Sequence, residues 1–455
     1  MTNPEARLPM KKKLLTLLPL LLALVAVPAL ADDLIQVYRD ALAYDAQYAA
    51  ARAARDAGQE KLPQGLAGLL PVVSASARTT WNDVDFRRRT PGWPSADAQF
   101  NTNGYQIALT QPLFRWQNYV QYGQSKLAVA QADALFIQAQ QDLILRVSQA
   151  YFDVLLAEYN LVQAQAQKKA IGEQLEAAKR NFEVGTATIV DTHEAQSRFD
   201  LTTAQELAAT SDVEIKRQAL NQLVGKVPSS LASFAGKFEL QRPQPDDMRK
   251  WAEAAEAGSP QVAAQQAALE IADKEIDRQR AGHYPTLDLV ATRERLSATS
   301  GLALGAAVPG SDTNTSTIGL QLNLPIFAGG SVMSRQREAV ALREKARADL
   351  DNVRRSAAQN ARQAYLGVTT GLAQVRAYEQ AMVSSQASLD SNKVGYEVGV
   401  RINIDVLNAQ TQLYLTRRDL ARSMYETLMA QLRLKAAAGT LGEDDIQAIN
   451  ALLAK

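Results

Sequence analysis

Two aspartates at matched positions are the strongest candidates for functional side chains. Asp191 lies in residues 181–200, NFEVGTATIVDTHEAQSRFD, and Asp405 lies in residues 395–414, GYEVGVRINIDVLNAQTQLY, 214 residues later. A carboxylate can accept hydrogen bonds from the free N–H groups at a helix start, and it can also offer its charge to a partner or an ion. Helix capping explains both aspartates, and a functional role stays open beside it.

Other side chains offer little catalytic chemistry. The chain has no cysteine and only two histidines, His193 and His283, and no second metal ligand is patterned near either. A lone histidine is more often structural than a metal ligand. The sequence contains no Walker-type loop, paired-glycine dinucleotide turn, HExxH or GxSxG motif, and its carboxylates are scattered along predicted helices. It therefore predicts a protein that is not an enzyme and that needs no metal or cofactor.

The two aspartate stretches belong to a duplication that runs along most of the chain. The same spacing recurs far from them in further matched residues, Gln149-Ala150-Tyr151 with Gln363-Ala364-Tyr365, Pro71 with Pro285, Gly225 with Gly439 and, one residue out of step, Pro112-Leu113-Phe114 with Pro325-Ile326-Phe327. Matches at a constant spacing indicate one long structural unit that occurs twice.

Each copy is predicted to contain two helices joined by a tight turn. Gly185 and Gly399 follow long helical stretches, and glycine readily takes the left-handed conformation that ends a helix. Asp191 and Asp405 then stand where an N-cap belongs. In the first copy Glu194 completes an Asp variant of the capping box.

Long helices lead into and out of these turns. Residues 117–183 contain no proline, and at about 1.5 Å per residue such a helix would reach roughly 100 Å. Residues 335–397 are its counterpart, and 192–223 and 406–438 are the returning helices. Apolar residues recur in steps of three, four or seven among many small side chains, which predicts broad coiled-coil-like packing.

Strands precede the long helix in each copy. In the second copy, apolar and polar residues alternate from Ile318 to Leu324, which predicts strands at about 285–293 and 316–325. In the first copy two strands flank an exposed loop that is predicted at 82–102, because that segment is rich in Asp, Arg, Pro and Gly.

The alternation gives each strand one apolar and one polar face. Such strands fit a membrane β-barrel, and a half-buried soluble hairpin fits them as well. Four strands cannot close a barrel, and open strand edges are not tolerated in lipid. The barrel hypothesis therefore predicts that several chains assemble and that each donates four strands.

The N-terminus has the pattern of a secretory signal. Three lysines at 11–13 precede an apolar run and a small-residue cleavage site, so residues 1–31 are expected to be removed after Ala31. The true start is either Met1 or Met10. The near-neutral net charge of +1 argues against a nucleic-acid partner.

These patterns divide the chain into five predicted parts. They are the signal at 1–31, the first repeat at 32–225, a linker at 226–258, the second repeat at 259–439 and a C-terminal tail at 440–455. The linker interrupts the helical pattern with several prolines, so it is expected to join the repeats at mid-length.

The duplication, the signal and the turns together resemble the TolC family of bacterial outer-membrane efflux proteins, over essentially all of 32–455. The most specific stretches are AYFDVLLAEYNLVQAQAQKKAI at 150–171, NFEVGTATIVD at 181–191, GYEVGVRINIDVLNAQTQLY at 395–414 and LRLKAAAGTLGEDDIQAIN at 432–450. The resemblance implies an α+β, mostly α fold in which three chains each give four strands to an outer-membrane β-barrel. Their helices would continue it as a long α-helical barrel in the periplasm, with the linker and tail in an equatorial band.

The resemblance also implies roles for the turn residues at a periplasmic entrance. In the family an aspartate of the first repeat meets a tyrosine and an arginine of the second, and those positions match Asp191, Tyr396 and Arg401. Acidic rings at the narrowest point match Asp405 and Asn408, and Asn408 departs from the acidic form, which weakens the expected cation selectivity. The expected adaptor-docking residues are Val184, Gly185, Thr186, Val398, Gly399 and Val400.

The function that the resemblance implies is a homotrimeric channel-tunnel for multidrug efflux or type I secretion, gated at its helical tips. Its expected partners are a periplasmic adaptor (membrane fusion) protein, an inner-membrane ABC, RND or MFS pump that supplies the energy, and outer-membrane lipid. The alternative from another class is a trimeric coiled-coil adhesin or envelope spacer without a conducting lumen. A soluble periplasmic enzyme is a third alternative, for which the sequence offers no catalytic residues.

Overall fold

The computed structural model describes residues 32–453 except 88, 90–91, 93–94, 227–229, 235–239 and 304–305. The predicted signal at 1–31 and its cleavage site lie outside the described residues. The described part contains one antiparallel sheet of four strands and ten α-helices, four of which are long.

Three short helices precede the first strand: α1 (Leu34–Tyr44), α2 (Ala46–Gln59) and α3 (Lys61–Ala67). The carboxylate of Asp45 accepts a hydrogen bond from the N–H of Tyr48 at 2.6 Å and so caps α2. This cap separates α1 from α2, and both α2 and α3 pack against the first long helix.

The four long helices form two hairpins, one in each repeat. In the first repeat α4 (Trp116–Glu183) is followed by α5 (Ile189–Val224), and in the second α8 (Ser331–Glu397) is followed by α9 (Asn403–Ala437). The long proline-free helices are confirmed, and the 68 residues of α4 extend over about 100 Å. The remaining helices are α6 (Met248–Gly258), α7 (Pro260–Arg280) and α10 (Glu443–Asn450).

The sheet consists of β1 (Val72–Phe86), β2 (Ala96–Phe114), β3 (Thr286–Ala303) and β4 (Ala306–Asn323), paired antiparallel in that order. The pairing of β2 with β3 joins the two repeats into one sheet. The helices attach at one end of the sheet, and the two hairpin loops lie at the other. Of the helices that the structure describes, none combines the length and the apolarity needed to cross a membrane.

The strands are longer than the sequence pattern predicts. The prediction of an exposed loop at 82–102 is wrong, because residues 82–86 pair with residues 96–100 across the first hairpin. In the second repeat the first predicted strand ends too early and the second begins too late, since pairing extends to Ala303 of β3 and starts at Ala306 of β4. Backbone pairing does not require apolar side chains, so polar residues extend each strand beyond its alternating part.

The two faces of the sheet differ in polarity. On β4 the side chains of Ile318, Leu320 and Leu322 are exposed on one face. The opposite face carries polar side chains, including an ion pair between Arg78 and Glu294 at 2.8 Å. The sheet thus has one apolar and one polar surface.

The largest core, the mid-body core, lies halfway along the long helices. Its buried residues come from both hairpins, α1, α10 and the linker, and they include Leu34, Tyr151, Phe152, Leu428 and Ile446. The Tyr151 hydroxyl donates to the carbonyl of Ala232 at 2.7 Å. Arg146 donates two hydrogen bonds, at 2.8 and 3.0 Å, to the buried carboxylate of Asp45. Linker and tail residues therefore pack against the middle of the long helices.

Candidate functional site

Two short turns lie together at the end of the long helices that is farthest from the sheet. The first tip, residues 184–188, joins α4 to α5, and the second tip, residues 398–402, joins α8 to α9. Gly185 and Gly399 have φ angles of 79° and 78°, and a Cβ added to either would meet nothing within 4 Å. Both glycines end their helices in the left-handed conformation, so replacing them would strain the backbone without a steric clash.

The first tip starts its second helix with a capping box. Thr188 is the N-cap of α5, and its Oγ1 accepts a hydrogen bond from the Asp191 N–H at 3.3 Å. The Asp191 carboxylate accepts hydrogen bonds from the N–H of Thr188 at 2.9 Å and from its hydroxyl at 2.8 Å. The predicted N-cap role of Asp191, with Glu194 as its partner, is wrong, because Thr188 takes the extended cap conformation three residues earlier.

The second tip lacks this cap. Ile402 occupies the N-cap position of α9 and offers no side-chain acceptor, so Asp405 is also the third helical residue and not the predicted N-cap. The Asp405 carboxylate lies 3.7 Å from the guanidinium of Arg401, and both side chains are partly exposed. Ile402 occupies the position that Thr188 has in the first repeat. Because isoleucine has no hydroxyl, the carboxylate of Asp405 takes part in no capping box.

The three residues of the expected latch do not meet within one chain. Among the described residues, no hydrogen bond or ion pair joins the Asp191 carboxylate to Tyr396 or Arg401. Tyr396 accepts a hydrogen bond from the amide of Asn181 at 3.2 Å, and Arg401 faces Asp405. Each latch residue therefore has a local partner in the single chain.

Other polar side chains connect the two hairpins near their tips. The Gln174 amide donates to Asn403 Oδ1 at 2.6 Å, and the Asn403 amide donates to the Asp191 carbonyl at 3.4 Å. Arg198 donates to Asn408 Oδ1 at 3.0 Å. Together with the hydrogen bond from Asn181 to Tyr396, these are the tip ties.

Sequence reasoning missed four members of the tip ties: Gln174, Asn181, Arg198 and Asn403. Their side-chain partners lie 229, 215 and 210 residues away in the chain, so no local spacing indicates them. The available signal is the duplication, since two matched hairpins that lie side by side must bring some polar side chains into contact.

A small apolar cluster, the tip core, lies beneath the tip ties. It consists of Ile171, Leu175, Ala178, Ala195 and Leu407, with Phe199 and Ile404 packed against it. Leu407 comes from the second hairpin and the other four buried members come from the first. The hairpins are therefore held together here by a few apolar contacts and by hydrogen bonds to neutral acceptors, with no ion pair between them among the described residues.

The turns themselves expose apolar side chains. Val184, Val398 and Val400 have 72%, 66% and 75% of their surfaces exposed. Thr186 is also exposed, and its hydroxyl donates to the Asn181 carbonyl at 3.1 Å. Clustered exposed apolar side chains on a helix end favour contact with another protein.

Metal binding finds no support in the described ranges, where no group of three or more His, Cys, Asp or Glu side chains is placed to hold an ion. His193 lies on α5 and His283 follows α7, and both are exposed. The tips thus provide hydrogen bonds, a partly exposed carboxylate and apolar contact surface.

Comparison with known sequences gives a consistent family assignment. A family model described as "Outer membrane efflux protein" matches residues 37–226 and 251–440. The chain is 31% identical over 441 residues to the alkaline protease secretion protein AprF of Pseudomonas aeruginosa, which covers 94% of this chain and 89% of the relative. It is 33% identical over 455 residues to the outer membrane protein TolC of Escherichia coli, covering 98% and 90%.

Solved structures of similar fold include outer-membrane channels. The CmeC outer membrane channel of Campylobacter jejuni has a TM-score of 0.77 at 17% identity and covers 93% of this chain and 90% of its own. The outer membrane protein VceC of Vibrio cholerae has a TM-score of 0.73 at 19% identity and covers 89% and 96%. At these identities the similarity establishes the fold alone.

Proposed function

The chain belongs to the outer membrane efflux protein family, and from this premise we propose that it is a homotrimeric channel-tunnel gated at its two tips. The expected family and the expected fold class are confirmed. The relatives are outer-membrane efflux and secretion channels, so this chain is a channel of that class, and the adhesin alternative has no support.

The observation that carries the proposal is the separation of the sheet from the tips. The sheet lies at one end of α4 and α8, and both tips lie at the other, about 100 Å away. Such a chain can place its sheet in a membrane while its tips remain in a different compartment. In this proposal the sheet stands in the outer membrane and the tips form the periplasmic entrance, after the signal is cleaved at Ala31.

The sheet supports the trimeric state. Its outer strands, β1 and β4, each pair with one neighbour only, so both edges present unpaired backbone groups. Open edges are not tolerated in lipid, whereas three copies paired edge to edge supply a closed barrel of twelve strands. Channels of this family are trimeric, and the two edges of this chain are what such a closure would join.

The latch of Asp191, Tyr396 and Arg401 is proposed to form between neighbouring copies. The Asp191 carboxylate uses Oδ2 for its capping box, and its Oδ1 accepts no hydrogen bond within the described part of the chain. The Arg401 side chain is 59% exposed and lies 3.7 Å from its local partner. A free carboxylate oxygen and a loosely held guanidinium are the groups that a neighbouring chain can bring together.

The pore lining at the entrance is proposed to include Asp405 and Asn408, once per chain. Three copies of Asp405 around the axis would favour cations by their field. Asn408 is neutral and is held by Arg198, so the second ring carries no negative charge of its own. A modest cation preference is the expected result.

The exposed valines of the tips are the proposed docking surface for a periplasmic adaptor protein. Val184, Gly185 and Thr186 of the first tip and Val398, Gly399 and Val400 of the second form this surface. The adaptor would connect the channel to an inner-membrane pump of the ABC, RND or MFS class. Relatives are named for protease secretion and for outer-membrane efflux, and the proposal covers both export routes.

The direct test of the gate is single-channel conductance in planar bilayers. We expect a small conductance for the wild type and a clearly larger one for Arg401→Ser with Tyr396→Phe, because both changes remove donors from the latch. The matched control is Arg376→Ser with Tyr378→Phe on α8, the helix that carries Tyr396, and it should conduct like the wild type. A double variant that conducts like the wild type would remove the latch from the proposal, and absence of conductance in every form would remove the channel.

Disulfide trapping tests whether the latch joins different chains. The chain has no cysteine, so Asp191→Cys with Arg401→Cys introduces the only pair. Oxidation should give a covalent trimer on denaturing gels, whereas a bond within one chain would leave monomers and contradict the proposal. Asp191→Cys with Arg376→Cys is the control and should remain monomeric.

A further inference from the structure

The exposed apolar face of the sheet identifies the surface that meets lipid. On β4 the apolar side chains lie at alternate positions from Ile318 to Leu324. The register aligns Ile318 with Ala291 and Leu320 with Leu289 of β3. Aligned residues share a face, so the apolar surface continues from β4 onto β3.

Two arginines lie on this same face of β3. Arg293 and Arg295 follow Leu289 and Ala291 at alternate positions, and both are exposed. On β2 they align with Ile107 and Tyr105. On β3 this face therefore changes from apolar to basic in the half of the strand that points away from the helices.

The position on β3 at which apolar side chains give way to Arg293 and Arg295 matches the edge of a membrane. On β4 the alternating apolar side chains run from Ile318 to Leu322, and the exposed Leu324 and Ile326 follow the end of the strand at Asn323. The apolar band of an outer-membrane barrel ends at a girdle of aromatic residues, and Tyr105 lies at the level of Arg295. Arg293 and Arg295 align with Ser316 and Asn314, which lie just beyond Ile318. Their guanidinium groups thus reach the headgroup level of the outer leaflet.

The positive charge at this level is not cancelled within the chain. Among the described residues Arg293 has no ion pair or hydrogen bond through its side chain, and Arg295 shares one exposed carboxylate, Asp312, at 3.4 Å. On the opposite face Arg78 is neutralised by Glu294 at 2.8 Å. Arg293 therefore leaves an unpaired positive charge on the apolar face, next to the exposed ion pair of Arg295 with Asp312.

We propose that Arg293 and Arg295 bind the phosphate groups of lipid headgroups in the outer leaflet, with Tyr105 beside them at the membrane interface. Guanidinium groups bind phosphate through paired N–H donors, and the two side chains leave the strand roughly 6.6 Å apart on one face. Aromatic side chains such as Tyr105 are preferred at this depth. Each chain would thus hold anionic lipid around the outer rim of the sheet.

The test measures lipid binding to the purified full-length protein in detergent. The probes are a diphosphorylated glycolipid, the same lipid with its phosphates removed, and inorganic phosphate, each titrated while bound lipid is followed by native mass spectrometry. Arg293→Gln with Arg295→Gln should weaken binding of the phosphorylated lipid by roughly fivefold for each guanidinium removed. The matched control is Arg78→Gln with Glu294→Gln, which alters the opposite face of the same strands and should bind like the wild type.

Each outcome bears on the proposal. Tighter binding of the phosphorylated lipid, lost in the Arg293/Arg295 variant and kept in the control, would support it. Equal binding of the dephosphorylated lipid, an equal loss in the control variant, or complete displacement by inorganic phosphate would overturn it. Conductance of the Arg293/Arg295 variant should equal that of the wild type, so a failure here is distinguishable from a failure of the channel function.

Discussion

The mid-body core and the tips lie on the same helices but are held together by different interactions. In the mid-body core, Tyr151 and Phe152 are fully buried among aromatic and aliphatic side chains from both hairpins. At the tips, the buried cluster is small and the hairpins are joined by neutral amides such as Asn403. The difference indicates that the tips can separate while the middle of the molecule stays folded.

Approximate free energies support the difference between the weakly held tips and the stable mid-body core. A typical hydrogen bond contributes about 1 kcal/mol net, so the tip ties together contribute only a few kcal/mol. Truncating one buried aromatic side chain in a core costs a similar amount, about 3–5 kcal/mol. A partner that binds the open tips more tightly than the closed ones can shift the equilibrium by this much.

The largest expected effect is on the mid-body core. Phe152→Ala removes a ring that lies 5.7 Å from Tyr425 and 6.2 Å from Phe234, centroid to centroid. We expect a loss of about 3–5 kcal/mol in the free energy of unfolding, measured by urea titration of helical circular dichroism in detergent. The closed conductance should stay at the wild-type value. Phe182→Ala at the exposed end of α4 is the control, and an equal loss there would contradict the comparison.

The second-largest expected effect is a pH-dependent loss of unfolding free energy when the Asp45 charge in the mid-body region is removed. Hydrogen bonds from the Arg146 guanidinium, assisted by the Tyr48 N–H, lower the pKa of the Asp45 carboxyl below its ordinary value. A lowered pKa stabilises the fold above the unfolded-state value of about 3.9, and this stability is lost as the pH falls through the folded-state value. Asp45→Asn keeps a capping side chain but removes the charge and one of the two acceptor oxygens of Arg146.

We therefore expect Asp45→Asn to lose roughly 1.5–3 kcal/mol of unfolding free energy at pH 7. The difference from the wild type should shrink as the pH falls below about 4, because the wild-type carboxyl then binds a proton, first in the unfolded state and at lower pH in the folded state. Asp56→Asn, on an exposed position of α2, serves as the control. A difference that stays constant between pH 7 and pH 3 would contradict the prediction.

The third prediction separates the tips from the core. Asn403 is completely buried, and Asn403→Ala leaves the Gln174 amide without its acceptor at a cost of about 1–3 kcal/mol. This cost falls on the closed tips, so we expect a higher conductance and little change in urea unfolding. Asn392→Ala is the control, since that amide bonds only within its own helix. An unfolding loss as large as that of Phe152→Ala would show that tips and core are one unit.

The smallest expected effect distinguishes the two tips from each other. Thr188→Ala removes the capping box of α5 and should cost about 1 kcal/mol, seen as faster hydrogen exchange of the amides at 189–192. Ile402→Thr should have the opposite effect on the second tip, because it places a threonine three residues before Asp405. Unchanged exchange in both variants would mean that capping does not decide the stability of the tips.

Local sequence patterns predicted the helices far better than the strand ends and the helix caps. The predicted helix at 117–183 differs from α4 by one residue at its start, because a long proline-free stretch has few alternatives. The cap assignment of Asp191 was wrong because both Thr188 and Asp191 are good cap residues, and the backbone of the turn selects between them. The loop at 82–102 was wrong because its polar residues are compatible with a loop or with a paired strand.

The amino-acid sequence was sufficient to specify a duplicated chain with two long helical hairpins, left-handed glycines at their turns and strands with one apolar face. These properties follow from periodicity and from the conformational preferences of neighbouring residues. The three-dimensional structure was needed to show that Gln174 meets Asn403, that Asp191 is engaged by its own capping box while Asp405 is not, and that Arg293 lies on the same face of the sheet as the exposed apolar residues of β4. Such relations join residues far apart in the chain or depend on register, and neither contact nor register is encoded in local spacing.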